Sequence, residues 1–537
     1  MRGWRAIVSA LFIGMTTGVC HGATTAADSR TTLVIATRAE PNAMDPQFST
    51  VGTNQATAMQ MFEPLFTRDA QLRLQPALAL SATRVSPTQW EFALRPNVKF
   101  HDGQPFDAED VRFSLDRAAN VPNSPAPFRS RVANISKVEV LGPLLVRVTT
   151  RKPDPQALVN ISTVMMVSSK LGARLETQQF NAGRAAIGTG PYRFVRWVPA
   201  DRLELLRFDQ YWGDKPDFER VTVRYMTADA ARLAALESGT VDLIDAVPVF
   251  DLESLKHKAR FELWQAPTVT LLYLGMELER DVNPSITDIE GRPLKVNPLK
   301  DLRVRQALSL AIDREQLVDK LLDGMGIPAN QVVPKGTPGF NGEIPREQFN
   351  LQKARSLLAQ AGYPRGFRLT LHAPNNRYPN DALVAQGLAI QLAKLGIQMQ
   401  LDTVPKNVFL PRASKREYGF YLYGFGAATG EALHVMRSLL ASPDPRRGFG
   451  SNNRGHYRNA LVDRLLEQAS AAEHGPALDA LVGQAAAAAF ADVAIIPLYH
   501  QQASWAGRPG LAFTARRDER TLAQNVSRAP TPERSRP

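Results

Sequence analysis

From residue 31 onward, short runs of alternating or continuous apolar residues are interleaved with amphipathic stretches. Residues 31–36 read as a buried strand and 54–65 as a helix stopping near Pro64. The loop between them, 37 to 53, holds Pro41, Pro46 and Gly52. Residues 84–100 are strand-rich, with turn signals at Ser86-Pro87 and Pro96-Asn97. Asp107-Ala-Glu-Asp110 opens an amphipathic helix with Val111, Leu115 and Ala118 on its apolar side, and the acids of its first turn suit the helix dipole. Residues 137–150 read as two strands around Gly142-Pro143. Further strands are expected at 192–197, 203–208 and 221–226, and a helix at 228–239 with Ala231, Leu233, Ala234 and Leu236 facing inward. Residues 301–324 read as two helices, the second capped by Asp313 with Gln316 three positions on.

The clearest unit spans 367–404. Phe367, Leu369 and Leu371 alternate as a strand, Ala385, Leu388, Leu392 and Leu395 follow at helical spacing, and Ile397, Met399, Leu401 and Thr403 alternate again. This is a βαβ unit of a parallel sheet. Its first loop, 373–380, lies beyond a strand's carboxyl end, where open α/β sheets bind ligands. A strand at 420–423 leads into a second such loop, 424–430, and a helix from about Glu431. The two loops are expected to face one crevice. The chain therefore reads as α/β.

The N-terminus carries an address. Arg2 and Arg5 precede an apolar run from Ala6 to Val19, and small residues follow at Gly22, Ala23, Ala26 and Ala27. At about 14 residues the run is too short to span a bilayer and fits a secretory signal. Cys20 is the one cysteine. A lipid-anchoring signal wants a small residue just before it and an aliphatic one three before, but Val19 and Thr17 stand there, so Cys20 is expected to leave with the signal. A secreted mature protein without cysteine follows, which suits an oxidising compartment. Among 537 residues, 44% hydrophobic and 22% charged, there is ample material for a large core, and disorder over most of the length is excluded. The 64 basic residues exceed the 52 acidic ones, but they are dispersed, so no nucleic-acid partner is expected.

Catalytic motifs are missing. No histidine pair lies four apart on a helix, and there is neither a Gly-x-Ser-x-Gly elbow nor a P-loop. Gly424-Phe-Gly426 lacks the third glycine of a dinucleotide fingerprint, since 429 is threonine. The chain reads as no enzyme, with no cofactor and no resident metal.

An ordered set of short stretches resembles the family 5 extracellular solute-binding proteins, the dipeptide, oligopeptide, glutathione and nickel receptors of ATP-driven importers. The stretches are Met44-Asp45-Pro46, Met61-Phe-Glu-Pro-Leu65, Trp90-Glu-Phe-Ala-Leu-Arg-Pro-Asn-Val-Lys-Phe-His-Asp-Gly103 and Phe106-Asp-Ala-Glu-Asp-Val111. They continue with Gly188-Thr-Gly-Pro-Tyr192, Tyr211-Trp212-Gly213, Asp301-Leu-Arg-Val-Arg-Gln-Ala-Leu308, Ala311-Ile-Asp-Arg314 and Ala361-Gly-Tyr-Pro364. The resemblance implies a two-lobed periplasmic-binding-protein-like fold of the large type II, or cluster C, form, with an extra subdomain in the first lobe. Its expected division is a signal at 1–27, lobe I at 28–276 with the subdomain at about 60–186, lobe II at 277–490, a return segment at 491–516 and a disordered tail at 517–537. The implied function is capture of a small peptide or glutathione-like solute by a monomer, through hinge closure, and delivery to ABC permease subunits in the inner membrane.

Peptide receptors of this family hold a carboxylate with an arginine and an ammonium with an aspartate. Arg377, in the 373–380 loop, is the arginine carried over. The aspartate is a departure: 424–430 contains no acid, and Glu431 either takes the amine or favours a helix N-terminus. Thr429 either donates to a carboxylate or caps the helix. Tyr423 and Phe425 wall the pocket or pack in the core, and Tyr273 lies near the lobe crossing. Two other readings stay open: a secreted hydrolase of peptides or glycans, and a nickel or haem receptor resting on His434 or His500.

Overall fold

Two long strands, Glu262–Met276 and Ile496–Gly507, run antiparallel through the middle of a 12-stranded sheet. In this computed structural model the described residues are 31–172, 175–258, 260–427, 429–444 and 447–529. The proposed signal, Cys20 and the last residues of the proposed tail, 530–537, lie outside them. On one side of the central pair stand Leu243–Asp245, Thr32–Thr37, Arg220–Tyr225, Arg202–Arg207 and Tyr192–Val198, in that order. On the other stand Phe420–Gly426, Arg368–Pro374 and Ile286–Thr287, with Gln398–Val404 also beside Arg368–Pro374. The chain thus passes between two halves through adjacent strands. The sequence explains their position: Leu271–Met276 is a near-continuous apolar run, buried at every residue, as a strand covered on both faces requires.

The expected βαβ unit is present. Arg368–Pro374 pairs parallel with Gln398–Val404 across the helix Asp381–Ala393, whose Val384, Ala385, Leu388 and Leu392 are buried. The first half has its own core around Leu33, Ile35, Tyr192, Leu203, Val221 and Trp505. A four-stranded antiparallel sheet of Ala79–Ser86, Gln89–Leu94, Leu145–Thr150 and Ile135–Gly142 carries a separate core with the helix Ala108–Ala118. That helix starts in a capping box: Asp107 accepts from Glu109 N–H, and Asp110 accepts from Asp107 N–H at 3.0 Å.

The expected inward face of the helix at 228–239 is rotated. Ala231 and Ala234 are exposed, whereas Arg232, Ala235 and Leu236 are buried. Arg232 is fully buried because its guanidinium donates to the carbonyls of Met226, Thr227, Asp245 and Ala246, and to Asp229. Apolar periodicity cannot see such a carbonyl cage. The expected disordered tail at 517–537 is also corrected: Leu511–Phe513 pairs with Val526–Arg528, and Leu522, Ala523 and Val526 are buried. Those few apolar residues fix a segment that looks polar overall.

The short motifs turn out to be joints. Asp45 of Met44-Asp-Pro46 is buried and accepts from Arg117 Nη1 at 3.0 Å and Nη2 at 2.6 Å, and from Thr177 Oγ1 at 2.8 Å. It ties the loop after the first strand to the helix Ala108–Ala118. His101 does the same for Gly188-Thr-Gly190. Its Nδ1 accepts from Gly188 N–H at 3.2 Å, so Nε2 carries the proton and donates to Gly190 O at 3.0 Å. A β-carbon on Gly188 would stand 2.0 Å from Met61 O, so this approach admits only glycine.

Asp45→Ala leaves the Arg117 guanidinium buried without its carboxylate, and urea unfolding should show a loss of about 3–5 kcal/mol. Burial lowers His101 to about 4. The unfolded chain therefore takes up this proton first, near pH 6.5, and stability falls as pH drops from about 6.5 to about 4, by up to about 3 kcal/mol. A His101→Gln variant, followed by urea unfolding across that window, should lack this slope.

Candidate functional site

The strands Arg368–Pro374 and Phe420–Gly426 run parallel where His372 meets Tyr421, so their carboxyl ends open in the same direction. Tyr378 joins the loops that follow. Its hydroxyl accepts from Gly424 N–H at 2.8 Å and donates to Gly424 O at 3.2 Å. Asp381, at the start of the next helix, accepts from the N–H groups of Arg377 and Tyr378 and holds the loop's last turn. The two loops expected to face one crevice therefore touch, through a tyrosine that the sequence reading passed over.

Arg377 is exposed, with its guanidinium 5.1 Å from the centre of the Tyr378 ring. It lines a cavity of about 210 Å³ between the two halves, together with Arg38, Asp229, Asp245 and Glu519. Tyr423 and Phe425 are half-buried. Tyr423 lies 6.2 Å from Tyr273, ring to ring, and the Arg454 guanidinium lies 4.5 Å from the centre of the Tyr423 ring. Among the described residues, Nε and Nη1 of Arg454 have no hydrogen-bond partner. Tyr273 itself is fully buried, and burial pushes its phenol well above the usual range.

Thr429 is buried, and its Oγ1 has no partner among the described residues, so it does not cap the helix Ala432–Leu439. Glu431 occupies the cap position but makes no side-chain capping bond. Its carboxylate lies 3.8 Å from His474 Nδ1. Burial raises its pKa, against the pull of His474, Arg68 and Arg437.

The first half contributes residues that the sequence reading did not single out. Leu72, at the turn between Phe66–Arg68 and Leu74–Pro76, comes within 3.0 Å of the β-carbon position of Gly430. Arg68, in the same hairpin, donates Nη1 to Leu72 O, while its buried Nη2 has no partner among the described residues. Arg131, on the short helix Arg129–Val132, lays its guanidinium along His434, with Nη1 at 3.4 Å from Nδ1 and Nη2 at 3.3 Å from Nε2. The Phe425 ring lies 6.0 Å from the same imidazole. Burial first, and then Arg131 and Arg437, hold His434 well below the ordinary imidazole range, so it is neutral. Burial and the neighbouring Arg437 and Arg68 lower Arg131 to about 10. Nothing in the local sequence pattern distinguishes Arg68 or Arg131 from other surface arginines. Their roles appear only once the halves are brought together.

His500, the other metal candidate, sits in the central strand between Leu271 and Ile327, and burial lowers it to about 3. Among the described residues, no three His, Cys, Asp or Glu side chains are grouped so as to hold a metal ion. None of the described helices is long and apolar enough to cross a membrane.

A family model described as bacterial extracellular solute-binding proteins, family 5, matches residues 73–445, and the chain belongs to that family. The glutathione-binding protein GsiB of Salmonella paratyphi A is 29% identical over 446 residues, covering 81% of this chain and 82% of the relative. GsiB of Escherichia coli K12 matches over the same length with the same identity. Among solved structures, DppA from Helicobacter pylori in complex with the peptide STSA superposes with a TM-score of 0.78 at 22% identity, covering 93% of this chain and 98% of that one. NikZ from Campylobacter jejuni in complex with Ni(L-His) gives 0.78 at 23% identity, covering 93% of this chain and all of that one. The fold is therefore the two-lobed one of the periplasmic binding proteins.

Tyr378→Phe removes the one side chain bonding both main-chain groups of Gly424. It should cost about 1–3 kcal/mol in chemical unfolding, because a half-buried N–H and C=O lose their partner. A stability equal to that of the parent protein would show that the two loops are held together by other contacts.

Proposed function

We propose that this protein is the periplasmic, monomeric substrate-binding component of an ABC importer. It takes up a small peptide or glutathione-like solute between its halves and hands it unaltered to permease subunits in the inner membrane. Membership of the solute-binding family, the glutathione-binding name of its relatives and the peptide in the DppA complex support this reading. The observation that carries it is the interlobe space. Arg38, Tyr225 and Asp229 of the first half and Arg377 of the second line its cavity, Arg131 and His434 meet across the halves outside that cavity, and the connection between the halves is confined to adjacent strands. We assign lobe I to about 28–276 with its subdomain at about 60–186, lobe II to 277–490 and the return to 491–516. The return runs on through the ordered residues to 529.

A solute that bonds to both lobes does so only when they are closed, so binding shifts the population towards closure. Taking the protein from almost fully open to almost fully closed needs about 5.5 kcal/mol of differential affinity. Charge-assisted hydrogen bonds of about 1.5–3 kcal/mol each supply that. Arg377 holds a carboxylate at the 373–380 loop. Thr429 offers its unpartnered hydroxyl, and Tyr423 and Phe425 form the wall. Tyr273 supports Tyr423 from the core. Glu431 stands among cations, so its role is to balance them rather than to bind an ammonium. No step of this function breaks a bond in the solute.

Native mass spectrometry of protein purified without added ligand should recover an intact small peptide or thiol tripeptide. Adding reduced glutathione should lower the radius of gyration in small-angle scattering. Arg377→Ala should weaken binding by about 2 kcal/mol or more. Release of cleaved peptides, or no compaction with any member of a broad peptide panel, would contradict the reading.

A further inference from the structure

We propose that the solute carries a net negative charge, with at least two acidic groups, and that Arg68 and Arg131 of lobe I and Arg437 of lobe II are the residues that select it. This rests on the solute-binding reading above and adds the charge class of the ligand.

Several arginines elsewhere in this protein find carboxylates. Arg117 bonds to Asp45, Arg84 reaches across the lobes to Glu473, and Arg516 pairs with Asp518 at 2.8 Å. The three arginines at the 425–437 face do not. The Arg131 guanidinium lies along the His434 ring, a neutral imidazole that accepts through one nitrogen at most and has no negative charge to offer. Arg68 bonds to one carbonyl through Nη1 and leaves Nη2 buried and unpartnered among the described residues. Arg437 lies with its guanidinium 4.6 Å from the centre of the Phe449 ring and has no carboxylate of the described residues within ion-pair distance.

These groups act on one another. Arg131 feels Arg437 and Arg68, and Glu431 feels Arg68 and Arg437. Glu431 is a carboxylate that all three feel, and it also faces His474; Arg437 feels Asp154 more strongly, and Arg68 also feels Asp518 and Asp69. Three half-buried guanidinium groups from opposite lobes, without an ion-paired carboxylate among the described residues, repel across the closing gap. The planar fork of each suits a carboxylate, and the buried hydroxyl of Thr429 adds a neutral donor beside them. A zwitterion with equal charges adds no net negative charge to this gap. A peptide with two carboxylates and one ammonium adds one, and a second acidic group lets both lobes hold it. The anion is then what turns repulsion between the lobes into attraction.

Isothermal titration with reduced glutathione, its diethyl ester and glycyl-leucine, with inorganic phosphate as a control, tests the class. The full mature protein should bind glutathione at least about tenfold more tightly than either peptide lacking net negative charge. Tighter binding of phosphate than of glutathione would overturn the carboxylate assignment. Arg131→Gln and Arg437→Gln should each weaken glutathione by roughly tenfold to a hundredfold, while Arg131→Lys restores part of the loss. A ligand-free measurement guards against a misfolded variant: the double variant Arg131→Gln, Arg437→Gln should be more compact than the parent in small-angle scattering, since the repulsion is gone. Preference for glycyl-leucine, or glutathione affinity unchanged in both single variants, would overturn the charge inference and leave the importer reading standing. Hydrolysis of the peptides would remove the reading beneath it.

Discussion

The antiparallel pairing of Glu262–Met276 with Ile496–Gly507 is the constraint on which the rest of the molecule hangs. It places the two halves on opposite flanks of one sheet and limits their covalent connection to adjacent strands. The apolar run Leu271–Met276, buried on both faces, makes that connection rigid along its length. Its register with Ile496–Gly507 shifts between Pro267 and Leu271 and again between Leu272 and Tyr273. Irregularities of this kind bend and twist a strand pair locally. Everything that faces the gap between the halves is positioned relative to this pair, including the strand Phe420–Gly426, which pairs with Glu262–Met276 from Thr270 to Met276.

The chemistry at the gap follows from what each half presents. Loops at strand ends supply main-chain groups and aromatic walls from the second half. Arg68 and Leu72, in the hairpin of the first half, and the short helix bearing Arg131 press against them. Contacts of this sort are few, polar and far apart in sequence, so each depends on the angle between the halves. Repulsion among like charges favours separation, and the solute supplies the opposing attraction. Affinity and shape are then the same equilibrium seen in two ways.

Much of the fold was legible because it is written in periodicity. The βαβ unit at 367–404 and the capped helix at Asp107 follow from spacing and capping chemistry, and both are present. The misses have physical reasons. Arg232 is buried through a cage of carbonyls, which rotates the buried face of its helix away from Ala231 and Ala234. Residues 517–529 fold because Leu522, Ala523 and Val526 find a core, although charge dominates their composition. For the candidate site, strand ends pointed to the segments that hold Arg377, Tyr423, Phe425, Thr429 and Glu431, of which Arg377 lines the cavity. Tyr378 and Arg131 were invisible because their partners lie 46 and 303 residues away, and Arg68 because Glu431, whose charge it feels, stands on the other half. Two stretches that carry the family resemblance, Met44-Asp-Pro46 and Gly188-Thr-Gly-Pro191, hold the structure together.

Movement of the two halves on binding is the central claim, and it is directly measurable. The one cysteine, Cys20, lies in the proposed signal, so a mature protein carrying Ser81→Cys and Gln468→Cys, both exposed positions on opposite halves, takes a unique dye pair. Single-molecule energy transfer should show a mostly open population without solute, a closed one at saturating glutathione, and exchange between the two. A single unchanging distance across every solute concentration, with binding demonstrated in the same sample, would contradict the account.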